Sequence, residues 1–228
     1  MDIDVLEKSI LKTVKYNLAK NNPLTLKELN DFLITDDFDE SIKSKDLENC
    51  IKKLILSKKI ILSDDNYVGF DEVELRTLVG VRIKAGAKLR RDIKDLKKIV
   101  KRWRIIKSIL FVGMEVGKGE RGELFVIARN DKSQKVRRLL SLYFKLKLFG
   151  PKFKINKVIA VNDLKKFIET KNIDSAYQIL KIVPVLNVNS TYEKLIHQNM
   201  WIFEIFSNYP FEKISENYRI EVKKEKRS

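Results

Sequence analysis

Residues 111–129 combine glycines and a carboxylate in a pattern that could hold a phosphorylated ligand. Apolar runs at residues 105–112 and 124–128 predict a strand on each side of the segment, and Glu123 opens the second strand. Four of the eight glycines of the chain lie between these apolar runs: Gly113, Gly117, Gly119 and Gly122. Metal-dependent phosphoryl transfer would require further carboxylates here, because two Mg²⁺ ions must be held close together.

Other catalytic chemistries find little support in the sequence. The glycines are spaced Gly-x₃-Gly-Lys-Gly, whereas a phosphate-binding loop requires Gly-x₄-Gly-Lys followed by Ser or Thr. The chain has one cysteine, Cys50, and one histidine, His197, which cannot build a zinc site. We expect Cys50 to be a buried thiol and His197 to be a packed or surface side chain rather than a base. The sequence therefore predicts no catalytic residue, no bound metal and no cofactor.

The positive charge of the chain is concentrated in its middle. The formal net charge is +16 at pH 7. Residues 1–70 carry 11 basic and 13 acidic side chains, residues 71–110 carry 13 and 5, and residues 111–154 carry 11 and 4. Such a field attracts polyanions, of which nucleic acid is the commonest in a cytoplasm. We expect nucleic acid, either RNA or DNA, as the partner; solubility and an anionic membrane surface are the alternative explanations of the charge.

Signals for export or membrane insertion are missing from the sequence. The first ten residues are acidic and lack the apolar centre of a signal peptide. No uncharged apolar run has the length needed to span a bilayer. A single cysteine allows no disulfide within the chain, which fits a reducing compartment. These features predict a cytoplasmic protein with no membrane partner.

Residues 1–70 have the element order of a winged-helix domain. Apolar spacing predicts helices over residues 4–20, from Thr25 and from Ser44, followed by a short β-hairpin. In many winged helices the third helix lies in the major groove of DNA. Here its exposed side would carry Lys45, Asn49, Lys52 and Lys53. The net charge of −2 and the acidic hairpin tip favour a protein contact or a structural role instead, and both interpretations stay open.

A long helix predicted over residues 71–104 is apolar on one side and cationic on the others. Few acids lie three or four residues from its lysines and arginines, so the charge would stay available to a phosphate backbone. A further basic helix is predicted over residues 131–148. The candidate nucleic-acid-binding residues are Lys84, Lys88, Arg90, Arg91, Lys98, Lys101, Arg102, Lys135, Arg137 and Arg138. We expect the phosphate-binding surface to lie within residues 82–154.

Residues 105–215 are predicted to form a second domain with a small mixed sheet, and residues 216–228 a basic tail. A third strand is expected over residues 152–161, and three helices over residues 163–170, 174–181 and 192–206. The predicted fold class is therefore α+β, with the winged helix joined to the second domain by the basic helix of residues 71–104.

Several landmarks occur in a fixed order between residues 5 and 210. They are Ile10–Tyr16 followed by Asn22–Glu28, then Arg76 and Arg82 after the hairpin, the strand and turn around Gly113, and Tyr192 with Asn199-Met200-Trp201 and Asn208-Tyr209-Pro210. This order resembles a family of mostly uncharacterised prokaryotic proteins that join an N-terminal winged helix to a nucleotidyltransferase-like domain. The resemblance implies a nucleotidyltransferase-like fold for residues 105–215.

The resemblance also implies a catalytic site that this sequence has largely lost. In active nucleotidyltransferases the first strand ends in Gly-Ser, two acids separated by one residue begin the next strand, and a third acid lies on a later strand. Here Gly113-Met114 replaces Gly-Ser, and Arg121-Gly122-Glu123 occupies the position of the two acids. No acid occurs in residues 154–161. We therefore expect Gly113, Met114, Arg121 and Glu123 to form a vestigial turn in which Arg121 opposes metal binding.

The function predicted from the sequence is nucleic-acid binding without catalysis, on a degenerate nucleotidyltransferase fold. One alternative is a structural or adaptor subunit of a ribonucleoprotein or transcription assembly. A second is an active nucleotidyltransferase with an unusual metal site. A third is a transcription regulator that reads DNA through the helix beginning at Ser44.

Overall fold

The structure is a computed structural model, and it shows a mixed α+β chain. It describes residues 3–35, 42, 44–100, 106–112, 122–129, 134–136, 138, 153–163, 170–188 and 190–210. This part of the chain divides into two compact units. The first unit contains the described residues up to 85 together with residues 201–210, and the second contains the described residues from 86 to 200.

Helices and a small hairpin build the first unit. The elements are α1 Ile3–Ala19, α2 Leu26–Asp31, α3 Ser44–Leu56, β1 Ile61–Leu62 and β2 Val68–Gly69. The two strands pair antiparallel, and α1 packs against α2, α3 and β2. The three helices and the hairpin predicted for this segment are therefore all present.

Helix α1 owes its position to one apolar row and one buried polar side chain. Leu6, Ile10, Val14 and Leu18 lie one turn apart and are buried, as a helix with a single core-facing side requires. Beside this row, the Thr13 hydroxyl donates to the Ser9 carbonyl at 2.7 Å and accepts the Ile34 amide at 2.9 Å. The buried hydroxyl thereby ties α1 to the chain that follows α2.

The start of α2 is held by the capping box predicted from the sequence. The Glu28 amide donates to the Thr25 hydroxyl at 3.3 Å, and the Thr25 amide donates to the Glu28 carboxylate at 3.0 Å. Two amides that the first turn of a helix would leave unpaired are thus satisfied by side chains.

Helix α4 spans Glu72–Val100 and belongs to both units. Asp71 caps it, because its carboxylate accepts the Glu74 amide at 2.8 Å. Leu75 and Val79 are buried within the first unit. A Cβ added at Gly69 would lie 3.1 Å from the side chain of Leu75, so the close approach of β2 to α4 favours glycine there.

A mixed four-stranded sheet forms the centre of the second unit. Its strands are β3 Ile106–Val112, β4 Gly122–Ala128, β5 Phe153–Ala160 and β6 Val183–Asn187, in the order β5-β4-β3-β6. β3 pairs antiparallel with β4 and β6, whereas β4 and β5 are parallel. Residues 124–128 of β4 are all buried, which is typical of a strand covered on both faces of its sheet. Helices α5 Ile173–Leu180 and α6 Thr191–His197 follow β5 and β6 respectively.

Two predictions for the C-terminal part of the chain are wrong. Three strands were predicted for this domain, and β6, whose second residue is Pro184, was missed. The single helix predicted over residues 192–206 is instead two helices, α6 and the short α7 Ile202–Ile205. The Asn199 amide bonds to the Leu195 carbonyl at 2.8 Å, and this side-chain bond competes with continuation of the helix.

Several other predicted elements are only partly described. Residues 134–136 and 138 are helical within the helix predicted over residues 131–148, and the rest of it lies outside the described residues. Residues 161–163 form a 3₁₀ turn, while residues 164–169 and the tail over 216–228 also lie outside them. The predicted domain boundaries at residues 70, 104 and 215 stay predictions.

Candidate nucleic-acid interface

The glycine-rich turn predicted to be a vestigial catalytic site is described only at its borders. Glu123 lies at the start of β4, where it is in register with Val112 of β3 and Lys154 of β5. Gly113, Met114 and Arg121 lie outside the described residues. The register partner of Glu123 on the neighbouring strand β5 is therefore a lysine.

The second half of α4 carries the cations predicted to meet a phosphate backbone. Lys84, Arg91 and Lys94 are exposed, and the Arg91 Nε donates a long hydrogen bond of 3.4 Å to the Ala87 carbonyl. Lys88, Arg90 and Lys98 belong to the same helix. Lys84 and Arg91 are seven residues apart, or two helical turns, so both lie on one side of α4.

The first turn of α4 has the opposite charge. Glu72 and Glu74 are exposed there, directly after the capping Asp71. Carboxylates are favourable at the start of a helix because they compensate the partial positive charge of its unpaired amides. Helix α4 is therefore acidic in its first turn, and its net charge is positive from Arg82 to Val100, where the sequence has eight basic and two acidic residues.

Two further candidates are exposed on the helical segment that follows β4. They are Lys135 and Arg138, with Val136 buried between them. The remaining candidates, Lys101, Arg102 and Arg137, lie outside the described residues.

Arg82, the first residue of the predicted surface, is occupied inside the first unit. Its guanidinium donates to the Pro23 carbonyl and to the Glu28 carboxylate. It also lies over the Tyr67 ring, with 5.2 Å between the guanidinium carbon and the ring centroid. Its side chain is 20% exposed. Arg82 therefore anchors α4 to the start of α2 and to the hairpin, a role that the sequence pattern did not indicate.

The candidate DNA-reading side chains of α3 are exposed but carry little free positive charge. Lys45, Asn49, Lys52 and Lys53 all face solvent. Lys53 is paired with Glu7 of α1 at 2.7 Å. The neighbouring Asp46 and Glu48 are exposed on the same helix, so two carboxylates offset Lys45 and Lys52.

Glu7 is a nearly buried carboxylate held between two lysines. Its side chain is 10% exposed and contacts Lys53 at 2.7 Å and Lys59 at 3.0 Å. Hydrogen bonds from Lys53 and then from Lys59 lower the pKa of Glu7. The same contact raises the pKa of Lys53. This cluster joins α1 to α3 and its following turn, and no sequence pattern indicates it because its members are far apart in the chain.

The lone cysteine adjoins this cluster. Cys50 is buried, as predicted, and burial, followed by the charge of Glu7, raises the pKa of its thiol. A raised thiol pKa leaves little thiolate at neutral pH, so Cys50 is a poor nucleophile. His197, for which either a packed or a surface position was predicted, is exposed on α6.

No protein-family model matches this sequence, and no curated protein or solved structure matches it either. Within the described ranges no helix is both long and apolar enough to cross a membrane.

Proposed function

We propose that this chain is a non-catalytic nucleic-acid-binding protein that contacts the phosphate backbone through the basic half of α4 and the basic segment after β4. The observation that carries the proposal is the row of exposed cations from Lys84 to Lys94. Lys84, Arg91 and Lys94 present positive charge to solvent on one continuous helix. Contacts of this kind give affinity without sequence preference, because phosphates are the same at every step.

We further propose that the first unit is a winged helix and that the sheet of the second unit is a degenerate nucleotidyltransferase core. The three helices and hairpin of the first unit support the former, and the hairpin of β3 and β4 with Glu123 at the mouth of β4 supports the latter. The resemblance to prokaryotic proteins that combine these two domains belongs to the same proposal.

The absence of catalysis is part of the proposal. A two-metal site requires several carboxylates on neighbouring strands. In this chain Lys154 is the register partner of Glu123 on β5, and Arg121 stands two residues before Glu123. Cations in these positions repel Mg²⁺ and disfavour a triphosphate-bound metal complex.

The test is a measurement of binding as a function of salt. Fluorescence anisotropy with a labelled duplex and a labelled single strand of mixed sequence gives the slope of log K against log salt. For duplex DNA each lysine or arginine contact contributes about 0.9 to the magnitude of that slope. A variant with Lys84→Gln, Arg91→Gln and Lys94→Gln should bind more weakly and with a smaller slope.

A matched variant controls for the loss of three charges. Lys27, Lys171 and Lys194 are exposed and lie outside α4 and outside the segment after β4, so their replacement by Gln should leave the slope nearly unchanged. Affinity of the unaltered protein that does not change over about 50 to 200 mM salt would contradict the proposal.

An adaptor role is the second candidate, and exposed apolar side chains near the hairpin favour it. Leu56 is 84% exposed and Val73 is 77% exposed, and Phe70 between β2 and α4 is 43% exposed. Asp64, Asp65 and Glu72 are exposed on the same segment of chain. Affinity capture before and after nuclease treatment separates the candidates: an adaptor keeps its protein partner once nucleic acid is digested.

A further inference from the structure

The first half of α4 carries aliphatic side chains on its exposed side. Val73 is 77% exposed and Val81 is 39% exposed, whereas Leu75 and Val79 on the other side of the helix are buried in the first unit. Together with Thr77, which is also exposed, the two valines recur every four residues and form one continuous row. A contiguous row of exposed aliphatic side chains indicates a surface that a partner covers.

The two ends of this row have opposite charges. Glu74 lies at its start and Lys84 lies one turn after Val81, and both side chains are exposed. Glu72 is matched by Arg76 at 3.2 Å, whereas neither Glu74 nor Lys84 has an ion pair with any other residue that the structure describes. At about 1.5 Å per residue the two free charges are about 15 Å apart along the helix. The exposed side is therefore negative at one end, apolar in the middle and positive at the other end.

This side of α4 is complementary to itself when two copies of the helix run antiparallel. With a two-fold axis at the level of Val79, Glu74 of each copy faces Lys84 of the other copy, and Thr77 faces Val81. Both charge pairs and the aliphatic row are then matched at once, as a two-fold interface requires. A parallel pair would instead place like charges together, which is unfavourable.

Gly80 lies next to the centre of this arrangement. Glycine in the interior of a helix costs about 1 kcal/mol relative to alanine. A Cβ added at Gly80 would meet no neighbouring atom within 4 Å, so packing among the described residues does not require glycine there. Without a side chain at this position, however, the backbone of a second helix can approach closely.

We infer that this chain forms a two-fold symmetric dimer in which the exposed sides of two antiparallel α4 helices pack together over residues 73–84. The inference goes beyond the proposed function, because nucleic acid takes no part in it. In the dimer Lys84 pairs with Glu74 of the second copy, and the phosphate contacts of α4 fall to Arg91 and Lys94, which lie beyond the paired segment. An interface of one helical side is small, so we expect a dissociation constant on the order of 10 µM.

The test is the oligomeric state in the absence of nucleic acid. Sedimentation of nuclease-treated protein over about 1 to 200 µM should show an equilibrium between monomer and dimer. Glu74→Lys and Lys84→Glu each create two pairs of like charges across the axis, so each variant alone should associate at least about tenfold more weakly. An equimolar mixture of the two variants has opposite charges in both pairs and should associate like the unaltered protein.

Matched variants on α3 control for the charge changes. Asp46, like Glu74, lies in the first turn of its helix, and Lys52 is exposed. Asp46→Lys and Lys52→Glu should therefore leave association unchanged. Gly80→Leu places a bulky side chain at the centre of the helix pair and should weaken association at least about tenfold. Circular dichroism establishes that each variant is folded, and Gly80→Leu carries the test if a charge reversal is unfolded.

Three outcomes would overturn the inference. One is an unaltered protein that stays monomeric up to about 200 µM. Another is a mixture of the two charge-reversal variants that associates no better than either variant alone, because Glu74 and Lys84 then do not face each other. The third is association that Gly80→Leu and both charge reversals leave unchanged. Since no nucleic acid is present, these results are independent of the proposed function, which the salt dependence of nucleic-acid binding decides.

Discussion

The two carboxylate oxygens of Glu28 serve two different elements, and Arg82 holds one of them. Oε1 accepts the guanidinium of Arg82 on α4. Oε2 accepts the amide of Thr25 at 3.0 Å and its hydroxyl at 3.1 Å, and so completes the cap of α2. A single side chain therefore links the start of α2 to the helix that carries the cationic row.

Loss of the Arg82–Glu28 pair should destabilise the first unit more than loss of an exposed pair. Their side chains are 20% and 28% exposed, between the surface and the buried extremes. We expect Arg82→Met to lower the free energy of unfolding by about 2 kcal/mol, because Glu28 Oε1 then loses the guanidinium that pairs with it. Urea denaturation of both single variants and the double variant Arg82→Met with Glu28→Gln should give a coupling energy of about 1 kcal/mol.

Arg76 provides the matched control for that cycle. It pairs with Glu72 one turn away on the same helix at 3.2 Å, with the two side chains 81% and 78% exposed. Arg76→Met should cost less than about 0.5 kcal/mol. Equal decreases in stability for Arg76→Met and Arg82→Met would show that the partly buried pair contributes no more to the free energy of unfolding than the exposed pair.

The cap of α2 predicts a smaller, separable effect. Thr25→Ala removes the acceptor of the Glu28 amide and should cost about 1 kcal/mol, whereas Thr25→Ser should restore most of it. Both variants are measured by urea denaturation. A Ser variant as unstable as the Ala variant would mean that packing, rather than the hydroxyl, accounts for the effect.

The stability of the first unit should depend on pH through Glu7. The lysine contacts lower the pKa of Glu7 in the folded state, below its ordinary value of 4.5. The resulting stabilisation is complete above the unfolded pKa and is lost as the pH falls through the lower folded pKa. The difference in stability between the unaltered protein and Glu7→Gln should therefore be constant from about pH 7 to pH 5 and shrink below about pH 4.5. Parallel stability curves over that acid range would contradict the assignment.

Local sequence patterns were sufficient for much of the fold. The apolar row of Leu6, Ile10 and Val14 predicts α1 within one or two residues, and the Thr25–Glu28 spacing predicts the cap of α2. These features depend on neighbours along the chain. The strand that opens with Glu123 is likewise preceded by glycine and followed by apolar residues, so its start is visible in the sequence.

Features that depend on distant partners were missed. β6 contains Pro184, which has no amide hydrogen to donate, and among the described strands β6 lies at the edge of the sheet, where proline is tolerated. The contact of Glu7 with Lys53 joins residues 46 positions apart. Arg82 stood out in the sequence only as a landmark, since its partner Glu28 lies 54 positions earlier. Spacing rules describe one helix or strand and carry no information about such pairs.

Tyr209 should produce a loss of stability at alkaline pH. Its ring lies 5.4 Å from the Phe32 ring, and burial, followed by the charge of Asp31, raises its pKa from 10.0 to about 12. Because the folded pKa is the higher one, this stabilisation is complete below about pH 10 and is lost as the pH rises to about 12. The difference between the unfolded and folded pKa values of Tyr209 corresponds to at most about 2.7 kcal/mol of stability. The stability advantage over Tyr209→Phe should fall across this range, and an advantage that stays at its pH 7 value would contradict the prediction.

The proposal that the glycine-rich turn is a degenerate metal site can be tested by adding carboxylates to it. With Arg121→Asp the sequence has two acids separated by one residue, and Lys154→Asp adds a third at the register partner of Glu123 on β5. A cluster of three carboxylates is the kind of oxygen site that Mg²⁺ and Mn²⁺ prefer. We expect millimolar Mg²⁺ or Mn²⁺ to raise the melting temperature of the double variant and to leave that of the unaltered protein unchanged, since only a ligand of the folded state stabilises it. Glu123→Gln in the double variant should abolish the increase. Nucleotide incorporation by the unaltered protein that Glu123→Gln removes would instead establish an active transferase.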